Sequence, residues 1–240
     1  MSRQPFIYAP DNWGSQIISI VGSEAQHLIR TLRVRTGFRF EIFDGIGHQR
    51  LVEVVSVSSD ELTARVIKSL PDYPVSKNQI VVAVGIVKGA RMDFAVEKAA
   101  ETGASRFIPL LTERSIVSPR ERKIDRWREI AKSAAKQSRQ ARLMEVMKPT
   151  ALSSALNERN TSSILLSMYE TETKLSELIK EMSDSPEITM FIGPEGGFSD
   201  SEIELFQSYG IPIANMGLHT LRTETAAAVS VAITRAQLFY

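Results

Sequence analysis

The eight residues Ile80–Val87 (IVVAVGIV) contain no charged or polar side chain. A strand with one wet face alternates polar and apolar residues. A run this uniform needs cover on both faces, which is the situation of a strand inside a parallel sheet. The chain that follows supplies the cover. Met92–Thr102 reads as a helix stopped by Gly103, and Arg106–Leu111 as the next strand. Lys123–Leu143 reads as a long basic helix, Ser163–Met168 as a strand and Thr173–Met182 as a helix. Ile188–Ile192 is then a strand, and Ser199-Asp200-Ser201-Glu202 is a capping box opening a helix to about Ser208. Ile211–Met216 is the last strand, and Thr223–Phe239 the closing helix with Thr223 as its N-cap. Such alternation specifies an α/β fold with a parallel sheet and helices on both faces.

The first 70 residues follow another pattern. Gln16–Val21, Phe38–Phe43, Gln49–Val57 and Leu62–Val66 are short β-branched or alternating runs. Asp44-Gly45-Ile46-Gly47 and Ser58-Ser59-Asp60 supply turns between them. Ser23-Glu24-Ala25-Gln26 fits a capping box opening a short helix to about Leu32. Strands this short and close suggest a small barrel. Lys68–Lys77 is polar and carries two prolines, and it divides a domain of residues 1–70 from one of residues 71–240.

Composition excludes several functions. There is no cysteine, so disulfides, thiolate metal sites and thiol catalysis are out. His27, His48 and His219 are far apart in sequence, and no metal site is expected from them. No apolar run reaches the roughly 18 residues of a membrane span. The N-terminus has no apolar stretch of a signal peptide, and the expected compartment is the cytoplasm. The net charge of +1 hides an asymmetry. Arg114 to Arg142 holds ten Lys/Arg against three Asp/Glu, whereas Thr150 to Gly210 holds three against eleven. A polyanion partner for the basic segment is one reading, and a solvated helix the other.

Two loops carry the unusual residues. Gly193-Pro194-Glu195-Gly196-Gly197 is a proline-stiffened turn leaving an apolar strand. Met216-Gly217-Leu218-His219-Thr220-Leu221-Arg222 leads into Thr225–Ala228, a run of small residues opening the closing helix. Neither has the spacing of a Walker A loop or of a dinucleotide fingerprint. In open α/β sheets, ligands bind at such strand-end loops.

Phe191–Ser199 and Leu221–Ala226 together resemble the paired signature of the RsmE-like methyltransferases. That family modifies uracil N3 in 16S ribosomal RNA and belongs to the SPOUT class. The resemblance extends through Val87-Lys88-Gly89, Thr112-Glu113-Arg114-Ser115 and Ala135-Lys136-Gln137-Ser138. His27-Leu28, Leu32-Arg33-Val34 and Phe43-Asp44-Gly45 resemble the family's PUA-like RNA-binding barrel. The resemblance, and nothing in periodicity, implies a C-terminal trefoil knot. It implies S-adenosyl-L-methionine held by Leu166, Gly193, Pro194, Glu195, Gly196, Met216, Gly217, Leu218 and Leu221. It also implies a homodimer acting on 16S rRNA or the small ribosomal subunit, and no membrane.

Arg222 is the expected source of positive charge for the uracil anion, being beside the ligand loop. Glu224 has three readings: acceptor of the N3 proton, holder of Arg222, or a first-turn carboxylate favoured by the helix dipole. Glu195 either contacts the cofactor or braces its turn. Arg3, Arg30, Arg33, Lys88, Arg114, Lys136, Arg139 and Arg142 are the expected RNA contacts. Three departures stand out. Leu218-His219 replaces the family's Pro-Arg, Gln137-Ser138-Arg139-Gln140 replaces Gln-Ser-Gly-Arg, and the N-terminal arginine pattern is reduced to Arg3. Two alternatives stay open: a methyltransferase of this fold with another RNA target, and a catalytically silent ribosome-assembly factor.

Overall fold

The computed structural model describes residues 4–11, 13–115, 119, 121–158, 162–167 and 172–238. They form two compact units: Met1–Val75 with Ala135–Leu143, and Ser76–Ala134 with Met144–Tyr240.

The smaller unit is a five-stranded sheet. Its strands are β1 (Phe6–Tyr8), β2 (Ile17–Val21), β3 (Arg39–Phe43), β4 (Gln49–Val57) and β5 (Glu61–Ser69). Their order is β1-β3-β4-β5-β2, so β1 and β2 are the ends of the sheet. Register irregularities at Leu51/Val52 and Val54/Ser56 bend the β4–β5 pair, as bulges do. The pleat sends Ile18, Ile20, Phe40, Ile42, Val52, Val54, Leu62 and Ala64 into one core. The turn after β3 is tied by Asp44, whose Oδ1 accepts from the N–H groups of Ile46, Gly47 and His48 at 2.9–3.1 Å. Burial pushes this carboxyl up, but hydrogen bonds from His48 and the backbone outweigh it and hold the group below the usual carboxylate range.

The expected capping box at Ser23 does not form. The helix α1 (Gly22–Gln26) starts two residues earlier, with Val21 at its N-cap and no side-chain cap, and continues as a π-turn over His27–Thr31. The basic helix also differs. As α3 it spans Glu121–Ser138, not Lys123–Leu143. It ends because Arg139 turns left-handed, with φ at 58°. The N–H of Gln140 then donates to Ala135 O and that of Arg139 to Lys136 O, the two bonds of a Schellman cap. Glycine is the residue suited to that position. Here the arginine holds it, with its guanidinium paired to Glu41, donating to Gln4 O at 3.0 Å and lying over Phe6.

The larger unit is a parallel sheet in the order β12-β10-β11-β6-β7-β8, with β9 also on β7. Its strands are β6 (Gln79–Gly85), β7 (Arg106–Leu111), β8 (Glu145–Val146), β9 (Thr150–Ala151), β10 (Ser162–Leu166), β11 (Glu187–Ile192) and β12 (Ile213–Ala214). The apolar run is the central strand β6, and its successive residues face opposite cores. Ile80, Val82 and Val84 meet the helices α2 (Ala90–Thr102), α3, α5 (Leu175–Glu181) and α7 (Thr223–Leu238). Ala83 meets α4 (Leu152–Asn157) and α6 (Asp200–Ser208) through Leu152, Leu156 and Phe206. Gly103 is left-handed at the end of α2, as expected, and its carbonyl accepts from Arg235 at 2.6 and 3.0 Å. No described helix is long and apolar enough to cross a membrane.

Candidate cofactor site

The C-terminal ends of β10, β11 and β12 converge, and their loops enclose a cavity of about 640 Å³. Leu166 and Ser167 come from β10, Ile192–Phe198 from β11, and Met216, Gly217 and His219–Thr223 from the segment after β12. Gly193, Pro194, Glu195, Gly196, Met216, Gly217 and Leu221 are all among the residues that line it.

The β11 turn is fixed on several sides. Gly197 N–H donates to Pro194 O at 2.8 Å, and Gly197 has φ +68°. The Thr223 hydroxyl donates to Gly193 O at 3.0 Å, seating the start of α7 on the turn. Thr223 is therefore the first helical residue; the preceding Arg222 C=O accepts the first helical bond, from Ala226 N at 2.8 Å. Ser199 and Glu202 complete the capping box of α6. At the other side Pro194 lies so close to β6 that a Cβ on Gly85 would sit 2.5 Å from its N and Cδ. Sequence reasoning missed Gly85, although a lone glycine in a buried strand is a signal of close backbone approach.

Side chains around the turn divide into engaged and free. Glu195 lines the cavity and is ion-paired with Arg91. Arg114 donates to Gly196 O at 2.6 Å and to Phe198 O at 3.1 Å. Arg222 is exposed, lines the cavity and has no partner among the described residues. Glu224 is 7% exposed, lies outside the lining and does not hold Arg222. Its Oε2 is buried without a hydrogen bond. Leu218 is 92% exposed and is not among the residues that line the cavity.

The expected RNA contacts are similarly divided. Arg30, Arg33, Lys88 and Arg142 are exposed, and their side chains make no hydrogen bond or ion pair among the described residues. Lys136 donates to both oxygens of Glu24 at 2.7 and 2.8 Å, and Arg139 is paired with Glu41. These two cations, and Arg114 with its carbonyls, are already spent on internal acceptors. On α3, Arg126, Arg128 and Lys132 pair with Asp93, Asp125 and Glu129. Arg3 lies outside the described residues.

A parallel sheet with a cavity at its converging strand ends, lined also by the segment entering the last helix, defines an α/β domain with a ligand pocket at the strand ends. Residues 74–235 match the RNA methyltransferase domain family. The ribosomal RNA small subunit methyltransferase E of Aquifex aeolicus is 30% identical over 94% of this chain and 96% of its own length. The Bacillus subtilis protein of that name is 28% identical over 87% and 85%. The chain belongs to this methyltransferase family. A Neisseria gonorrhoeae ribosomal RNA small subunit methyltransferase E, solved with S-adenosyl methionine, superposes with a TM-score of 0.86 at 26% identity, covering 98% of both chains. A Legionella pneumophila methyltransferase in complex with SAM gives 0.89 at 28% identity, again over 98% of both. With those likenesses, the fold is the knotted SPOUT sheet joined to a small PUA-like barrel.

Proposed function

We propose that this protein transfers the methyl group of S-adenosylmethionine to N3 of a uridine in 16S ribosomal RNA of the small subunit. The observation that carries the reading is the cavity at the ends of β10, β11 and β12, with the unpaired Arg222 on its rim. The cavity fits the group. Its volume lies within the roughly 300–1,000 Å³ of small-molecule sites. Leu166, Ile192, Phe198 and Ala226 offer apolar surface to an adenosine, and the Gly193–Gly197 and Met216–Leu221 loops offer backbone polar groups.

Bound there, S-adenosylmethionine supplies an electrophilic methyl group and keeps the electron pair of the bond that breaks. The chain's part is alignment and charge. Gly193 and Pro194, locked by Thr223 and by contact with Gly85, set where the ligand lies. Arg222 favours the N3 anion of the uracil, formed by loss of the N3 proton to water, over its neutral form, because a fixed cation beside a developing negative charge lowers the barrier without reorganising. The target base is unstacked to expose N3, which costs a few kcal/mol.

Arg30, Arg33 and Arg142 of the small unit and Lys88 of the large one, whose side chains have no partner among the described residues, are available for phosphate contact. The working species is a homodimer in the cytoplasm, and the almost fully exposed Leu218 is the apolar side chain a second copy would cover. Transfer of labelled methyl to small subunits from a strain lacking this protein tests the reading. Label at a uridine N3 of 16S rRNA is expected. Label confined to large-subunit or transfer RNA overturns the substrate, and no heat with S-adenosylmethionine in calorimetry overturns the enzyme.

A further inference from the structure

We propose that Arg114 is a positioning residue that fixes the cofactor turn, and that it does not contact RNA; this rests on the cavity taking S-adenosylmethionine. Arg114 belongs to the basic segment and to the loop after β7, where a phosphate contact is the first expectation. Its surroundings point elsewhere. The loop closes on itself: Ser115 N–H donates to Thr112 O at 3.0 Å, and Thr112 N–H to Ser115 Oγ at 3.2 Å. The loop is also pinned to the start of α6. Glu113 N–H donates to the buried Glu202 Oε1 at 2.9 Å, and the Ser201 hydroxyl donates to Glu113 Oε1 at 2.8 Å. Hydrogen bonds from Ser201 and Ser199 hold the Glu113 carboxyl below its ordinary range.

So the backbone on the N-terminal side of Arg114 is set before its side chain does anything. That side chain lies flat on the turn, where a Cβ on Gly196 would stand 3.3 Å from its Cδ and 3.6 Å from its Cβ. Its Nη1 then donates to the carbonyls of Gly196 and Phe198 together. One cation thus ties two carbonyls on either side of Gly197. Charge-assisted bonds of this kind are stronger than neutral ones. A guanidinium offers several donors in a fixed plane, whereas lysine offers a point charge on a flexible stem. The free arginines at positions 30, 33 and 222 have no such partners.

The test uses the full chain and reads three quantities: the Kd for S-adenosylmethionine by calorimetry, the split between KM and kcat, and the salt slope of RNA binding. Arg114→Ala is expected to raise the cofactor Kd and KM about tenfold or more, because two bonds to a charged donor are lost. kcat should fall less, and the slope of log affinity against log salt should not change. Arg114→Lys should recover part of the affinity. If Arg114→Ala does not fold, Gly196→Ala serves instead: its methyl meets the Arg114 stem, so cofactor binding should weaken. If both fold, the double variant should bind no worse than Arg114→Ala alone. An unchanged cofactor Kd in Arg114→Ala, with a salt slope smaller by about one, makes Arg114 a phosphate contact and overturns the proposal. No cofactor heat from the wild type overturns the functional reading and this inference with it, an outcome distinct from wild-type binding that Arg114→Ala leaves intact.

Discussion

Gly85→Ala measures how tightly the turn is laid on the sheet. The added methyl would lie 2.5 Å from Pro194 N and Cδ and 3.0 Å from Gly193 C. Carbon atoms in contact normally sit about 3.5–4.0 Å apart, so the overlap is about 1 Å. Something must move, and the partners differ in freedom. β6 is paired along its length to β11 on one side and to β7 on the other, and it is buried throughout Ile80–Gly85. The proline ring cannot flex away as a long side chain could. The displacement therefore falls on the turn. Overpacking of this kind costs about 1–3 kcal/mol, and a misplacement near 1 Å at a reacting geometry costs about a hundredfold in rate. Urea unfolding should show a loss in that range, with weaker cofactor binding and a larger loss of methyl transfer. Gly14→Ala is the control, because a Cβ there meets nothing within 4 Å and the backbone is not left-handed. If Gly85→Ala keeps wild-type stability and cofactor affinity, the close crossing of Pro194 over β6 is wrong.

Other perturbations separate chemistry from scaffold. Arg222→Ala should lower kcat about a hundredfold or more while changing cofactor affinity little, as loss of a charge that acts in the transition state does; wild-type turnover would remove Arg222 from the mechanism. Glu202→Gln should destabilise by about 1–3 kcal/mol in urea, because both carboxylate oxygens accept backbone N–H groups, from Glu113 and Ser199, and an amide nitrogen cannot. Arg139→Gly should be more stable than Arg139→Ala by about 1 kcal/mol, since both lose the Glu41 pair but only glycine is at ease at φ 58°. The Asp44 carboxyl lies below its ordinary range in the folded state, so its contribution is present above the unfolded value of about 3.9 and fades as pH falls through the lower folded value. Asp44→Asn should therefore show a flatter dependence of unfolding on pH in the acid range, read by urea midpoints from pH 5 downward.

Much of the fold was legible because local and global preferences agree. β4 and β7 match the runs Gln49–Val57 and Arg106–Leu111 to the residue, and Ser199 caps α6 through Glu202 as its spacing suggests. Where local signals compete, the reading slipped. Ser23 has the capping pattern, but Gly22 at φ 67° starts the helix ahead of it. β1, β8 and β9 escaped because two or three residues carry no period, and they become strands only by pairing with β3 or β7. The site divides the same way. Glycine and proline announced the turn, since backbone shape is written locally. The roles of charged side chains were not legible: Arg114 finds its acceptors 82 and 84 positions away, and Lys136 finds Glu24 112 positions away. Charge counts treat such a residue as available for a polyanion. Only tertiary structure shows that its donors are taken.

That division bears on which cations can answer RNA. The excess of seven between Arg114 and Arg142 reads as a binding face in sequence, yet Arg114, Arg126, Arg128, Lys132, Lys136 and Arg139 all have internal acceptors. Breaking a paired cation out to reach phosphate means abandoning the carboxylate or carbonyl it already serves, which weakens its net contribution; an unpaired one has no such partner to lose. The salt dependence of RNA binding should accordingly follow the free set. Arg30→Ala with Arg33→Ala should reduce the slope by about two, and Arg142→Ala by about one. Lys136→Ala with Arg139→Ala should instead lower the stability of the small unit and leave the slope nearly unchanged. A slope that falls by two in the Lys136/Arg139 variant, at unchanged stability, would show that those ion pairs open on RNA and that the basic segment does act as one face.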